Sequence, residues 1–302
     1  WRHRLISNSD IRFALCSPPC QEKTMFLHGL LVFGVTVEAV RIAKRLWDAR
    51  ERRRRKKIEC SGDSAWRRCT STIVAIGDSI TEYGALNGGW VAEIQELYSR
   101  RADVLNRGFS GYTSRIVRKI LLDILATLPS TQLADVIAIT VMLGVNDCGR
   151  PGDFQHVPEA EFVDNMKIIL CCLRNRWPKS EVIVLSPPHV DADAWRETCR
   201  ANGWGDGGGR TAERVRLYGQ LAQQAARDCG CCFVDVCAAM EKAAQDGGFD
   251  LATLLDDGLH LSPSGNGVVR GAVLGALESR GRGPASVPTL FPGMPAVFEV
   301  AL

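Results

Sequence analysis

The stretch Thr72-Ile73-Val74-Ala75-Ile76-Gly77-Asp78-Ser79-Ile80-Thr81 constrains this chain more than any other. Five residues rich in β-branched side chains run into Gly-Asp-Ser. An apolar run of this length, closed by Gly and Asp, predicts a strand buried on both faces of a parallel sheet. Ser79 then falls just past the strand's carboxyl end, the edge at which open α/β sheets place their ligands. Two roles are open to it there. Asp78 or Ser79 can cap the helix that follows, or a serine held on a tight turn can act as a nucleophile.

The same pattern of strand, turn and helix recurs along the chain. A strand over Asp103 to Asn106 ends in Arg107-Gly108-Phe109-Ser110-Gly111-Tyr112, and a helix follows from about Thr113 to Leu128. Two glycines three apart after a strand mark a turn whose backbone is exposed or takes positive φ. The strongest buried strand, Ala134 to Leu143, ends in Gly144-Val145-Asn146-Asp147. It is followed by a helix from about Pro158 to Arg176, a strand from Glu181 to Leu185 and the break Ser186-Pro187-Pro188. A Gly-rich polar stretch from His189 to Arg210 reads as a loop at the active edge with a short helix. A long helix over Thr211 to Asp228, a strand over Cys231 to Val236 and a helix near Ala238 to Asp246 come next. Asp257-Gly258-Leu259-His260 then leads into a closing helix from Pro263 to Ser279. Strands alternating with helices in this way predict one doubly wound α/β domain over residues 69–282. Right-handed crossovers put every strand's carboxyl end on one edge.

Composition narrows the partners. The formal charge is +3, yet 12 Lys and Arg against 4 Asp and Glu crowd between Arg41 and Arg68, leaving about −5 on the remainder. A catalytic domain with that balance is not a nucleic-acid binder. Residues 1–68 read as a leader outside the fold, and residues 283–302, with Pro284, Pro288, Pro292 and Pro295, as an irregular tail. The apolar stretch Met25 to Val37 is too short to span a bilayer and fits an interfacial helix or a signal-peptide core. The basic run Arg52 to Lys57 beside it favours the cytoplasmic side, with membrane contact through the leader as one option. Twelve cysteines show no paired Cys-x-x-Cys spacing, so they read as thiols in a reducing compartment, with no zinc site. Neither the spacing nor the composition speaks to oligomeric state.

The loops at the active edge carry Ser79, Gly111, Asn146, Asp257 and His260. Together they are the parts of an acyl-transfer site. Ser79 attacks a carbonyl, His260 takes its proton, and Asp257 fixes the imidazole's tautomer. The Ser79 and Gly111 N–H groups and the Asn146 amide meet the oxyanion. Asn146 also has an ordinary reading as a turn residue. No Gly-x-Ser-x-Gly elbow surrounds Ser79, which argues against an ordinary α/β-hydrolase.

Gly77-Asp78-Ser79-Ile80-Thr81, Asn106-Arg107-Gly108-Phe109-Ser110-Gly111, Gly144-Val145-Asn146-Asp147 and Asp257-Gly258-Leu259-His260 resemble the four blocks of the SGNH, or GDSL-type, hydrolases. Gly89-Trp90, Tyr112, Ser186-Pro187-Pro188, Trp195 and Leu261-Ser262-Pro263 are similar to its isoamyl-acetate-hydrolysing esterase branch. The resemblance covers about residues 72 to 280. It implies a flavodoxin-like three-layer α/β/α sandwich with a five-stranded parallel sheet. It also implies a small ester as substrate, hydrolysis of short-chain carboxylic esters, and no metal or organic cofactor. Deacetylation, lysophospholipid or thioester hydrolysis on the same machinery are alternatives, as is a tethered binding protein on this scaffold.

Overall fold

The computed structural model describes residues 71–128 and 135–290. The apolar stretch Met25 to Val37 and the basic run Arg52 to Lys57 lie outside them. Among the described residues, no helix is long and apolar enough to cross a membrane.

Five strands, β1 (Ser71–Gly77), β2 (Ala102–Gly108), β3 (Val136–Met142), β4 (Glu181–Leu185) and β5 (Cys232–Val234), form one parallel sheet in the order β2-β1-β3-β4-β5. The central strands β1 and β3 are buried along their whole length, which explains their unbroken apolar sequences. Among the described residues the α-helices are α1 (Ser79–Tyr83), α2 (Trp90–Leu97), α3 (Ser114–Ala126), α4 (Glu159–Arg176), α5 (Ala192–Ala201), α6 (Ala212–Asp228), α7 (Val236–Gly247) and α8 (Pro263–Ser279). They cover the sheet as the outer layers of an α/β/α sandwich. Polar side chains at the N-caps set several starts: Thr113 for α3, Asp191 for α5, Thr211 for α6, Asp235 for α7 and Ser262 for α8.

The sheet reverses direction of growth at β1, because β2 lies on one side of it and β3 on the other. That switch point opens a crevice at the carboxyl ends of β1 and β3, where Ser79 and Asn146 emerge. Beyond α8 the chain stays attached for longer than expected. Val287 is 5% exposed and belongs to the core. Arg101 donates to its carbonyl, and Leu290 N–H donates to Arg100 O. The boundary expected at 282 thus falls short of residues that pack on the domain.

Candidate active site

Gly77 ends β1 at a place where a Cβ would lie 2.1 Å from Thr81 Oγ1 and 2.7 Å from Met142 O. Only glycine lets the chain turn sharply there into α1. Asp78 caps α1, its carboxylate accepting from the Ile80 N–H at 3.0 Å. Ser79 is the first helical residue and is 5% exposed. Its two sequence readings therefore divide between neighbours: Asp78 caps, and Ser79 is left free to face the crevice.

Ser79 Oγ lies 3.0 Å from His260 Nε2, and His260 Nδ1 lies 2.7 Å from Asp257 Oδ2. The other carboxylate oxygen of Asp257 accepts from the Leu259 and His260 N–H groups at 2.9 and 2.7 Å. Burial pushes the Asp257 carboxyl up, but the His260 ring, the His260 N–H and the Leu259 N–H outweigh it and hold it down at about 2. It is a carboxylate at neutral pH. The turn is tight because Gly258, at φ +90°, presses against the backbone of Trp195 and Asp191, leaving no room for a Cβ. The imidazole is flanked by Tyr83, with centroids 5.0 Å apart, and by the edge of Trp195 at 5.7 Å.

Gly108 and Gly111 divide their duties. A Cβ on Gly108 would sit 2.1 Å from Glu82 N, so this glycine permits the close approach of β2 to α1. Gly111 takes φ +76°, and among the described residues no acceptor takes its N–H or that of Ser79. Asn146 is 4% exposed. Its Nδ2 donates to Tyr112 O at 3.0 Å, which leaves the second amide hydrogen unused. The side chain serves the neighbouring loop, not its own turn.

Sequence reasoning missed the residue that aims this amide. Arg210 is 5% exposed, and its guanidinium donates to Asn146 Oδ1 at 3.2 Å, Gln155 Oε1 at 2.6 Å, Val145 O at 2.8 Å and Gly207 O at 2.6 Å. Gln155 in turn donates to Gly111 O at 2.8 Å. One buried cation thus ties the Asn146 and Gly111 loops together. Asp147, fully buried, anchors the start of α3 by accepting from Ser114 N–H at 2.8 Å. An arginine at the end of a Gly-rich loop carries no local signal for this role.

The match to known proteins follows the same residues. A family model for the GDSL-like lipase/acylhydrolase family covers residues 75–268. The chain belongs to that family. It is therefore a carboxylic ester hydrolase acting on small esters. Similar relatives include the isoamyl acetate-hydrolyzing esterase 1 homolog of Bos taurus, 34% identical over 73% of this chain and 85% of the relative. A GDSL esterase/lipase of Arabidopsis thaliana is 33% identical over 70% of this chain and 87% of its own length. Among solved structures, a lipase/acylhydrolase from Enterococcus faecalis superposes with a TM-score of 0.53 at 20% identity, covering 70% of this chain and 97% of that one. An acetylxylan esterase from Geobacillus stearothermophilus gives 0.52 at 23% identity, covering 68% and 94%. These structures share the fold of the family.

Proposed function

We propose that this chain hydrolyses short-chain carboxylic esters through a Ser79 acyl-enzyme, with His260 as general base and Asp257 as its orienting partner. The observation that carries the reading is the continuous line of contacts from Ser79 Oγ through the His260 ring to Asp257 Oδ2. Ser79 gives its proton to His260 Nε2 while Oγ attacks the ester carbonyl. The imidazolium that forms is stabilised by Asp257, whose carboxylate accepts from Nδ1–H. The carbonyl oxygen gains charge as the tetrahedral intermediate forms. The Ser79 and Gly111 N–H groups and the spare hydrogen of Asn146 Nδ2 are the donors available to meet it. His260 then protonates the leaving alcohol, and a water repeats the sequence on the acyl-enzyme. The short-chain preference draws on the sequence blocks shared with the isoamyl-acetate-hydrolysing branch and on the names of the relatives. Tyr83 and Trp195, whose rings both contact the imidazole, supply apolar surface beside the reacting carbonyl.

The test is a panel of esters of increasing acyl length, run beside labelling with a fluorophosphonate. Wild type should take the label and favour acetyl and other short acyl groups, and Ser79→Ala should do neither while keeping its fold. Labelling that persists in Ser79→Ala, or turnover rising with acyl length to long chains, would overturn the corresponding half of the proposal.

A further inference from the structure

Past the carboxyl ends of β4 and β5, three metal-binding side chains converge. One ring nitrogen of His189, Cys237 Sγ and a carboxylate oxygen of Glu241 all lie within 4.8 Å of one another. Cys237 and Glu241 are four residues apart on α7 and so share one helix face. Their Sγ and Oε1 are 3.7 Å apart. His189 enters from the loop after β4. Its Nδ1 is buried without a hydrogen-bond partner, an arrangement that native proteins rarely leave uncompensated. Cys237 and Glu241 also border a cavity of about 120 Å³, shared with Ser186, Arg216 and Asp235.

We propose that His189, Cys237 and Glu241 bind a single divalent cation of the zinc type, at a site separate from the hydrolytic residues. An imidazole, a thiol and a carboxylate together suit zinc, whereas magnesium and calcium demand oxygen donors. Metal–ligand bonds of about 2.0–2.3 Å in a tetrahedron place donor atoms roughly 3.3–3.8 Å apart. Cys237 Sγ and Glu241 Oε1, 3.7 Å apart, already meet that spacing, so His189 needs to close by about 1 Å at most, and a water completes the fourth position. A cysteine thiol is protonated at neutral pH in the absence of metal. Binding forms the metal–sulfur bond and releases that proton to solvent. Arg216 competes for the site, since its Nε and Nη2 donate to Glu241 Oε1 at 3.1 and 2.5 Å. That guanidinium is about half exposed, with a side-chain accessibility of 52%, and can swing out. The His189 loop continues into Asp191, whose N–H donates to Gly258 O at 2.9 Å. A bound metal would thereby brace the turn that carries His260.

The test titrates the full chain, stripped with a chelator and kept reduced with a phosphine, with Co²⁺ as a spectroscopic probe. One equivalent should bind, with a thiolate-to-cobalt charge-transfer band and release of about one proton per metal. Cys237→Ser should abolish the band, and His189→Ala should weaken binding by at least roughly 10–100-fold. Arg216→Gln should tighten it, whereas Cys229→Ser and Ser79→Ala should leave it unchanged. Zn²⁺ should displace Co²⁺ and raise the Tm of wild type but not of His189→Ala. Absence of a thiolate band in the full chain, or a band that survives both Cys237→Ser and His189→Ala, would overturn the site. The Ser79→Ala arm keeps this outcome independent of the hydrolytic mechanism.

Discussion

Asn146 is the residue at which structural and chemical roles separate most cleanly. Its Oδ1 is held by Arg210 and one amide hydrogen by Tyr112 O, so removing the side chain frees groups that other loops depend on. In the proposed mechanism, the remaining hydrogen strengthens its bond only as the carbonyl oxygen becomes charged. Asn146→Ala should therefore lower kcat by roughly 10²–10³-fold with little change in KM. A folded variant with near wild-type kcat on an unactivated ester would remove Asn146 from the site. Asp78 makes a second prediction, on pH. It is fully buried, and burial, opposed by the Ile80 N–H and reinforced by Asp147, pushes its carboxyl up to about 7. The folded protein thus prefers the protonated form. Stability from this group is complete below its unfolded pKa near 3.8 and is lost as pH rises through about 7. Asp78→Asn should flatten the decline in stability between about pH 4 and 8, by an amount on the order of a few kcal/mol. Unfolding curves of wild type and variant that shift in parallel with pH would refute this.

Among the elements, the contact between β2 and α1 sets the position of the helix that begins with Ser79, the proposed nucleophile. Asn106 Nδ2 donates to Thr81 O at 2.5 Å, and Gly108 lets the strand end lie against the α1 backbone. The atoms that a Cβ would meet are backbone atoms, which cannot rotate away. Gly108→Ala should destabilise the fold by about 1–3 kcal/mol, the usual range for overpacking, and lower kcat by shifting Ser79. Gly267, inside α8, has open space around it and no positive φ. Gly267→Ala should stabilise by roughly 0.5–1 kcal/mol through helix propensity alone. Thermal melts of the two variants decide the matter. Equal effects would mean that close approach is not what Gly108 provides.

For the whole molecule, the boundary at the carboxyl end has a measurable consequence. A chain ending at 282 loses the buried Val287, its bond with Arg101 and the Leu290 bond to Arg100 O. Such a truncation should lose about 1.5–3 kcal/mol relative to one ending at 290, the range for burying one valine-sized side chain. Matching denaturation midpoints would return the boundary to 282. Four prolines argue against regular structure in this segment, and composition says nothing about whether an irregular segment packs as Val287 does. The sheet was legible in sequence, and Ser79, Gly111, Asn146, Asp257 and His260 could be nominated there as candidates, because their signals are local. β-Branched runs predict buried strands, glycines mark the turns after β1, β2 and β3, and Asp257 lies three residues from His260. Arg210 beneath Asn146, the ring nitrogen of His189 near Cys237, and the burial of Asp78 beside Asp147 were not legible. Each depends on groups brought together from distant strand ends, where burial, not spacing, decides which charges pair and which polar atoms are left alone. The sequence by itself determined an α/β chain with a serine, a histidine and an acid at its loops. Only the tertiary structure decided the strand order that opens the crevice at β1 and β3, because that order comes from long-range packing.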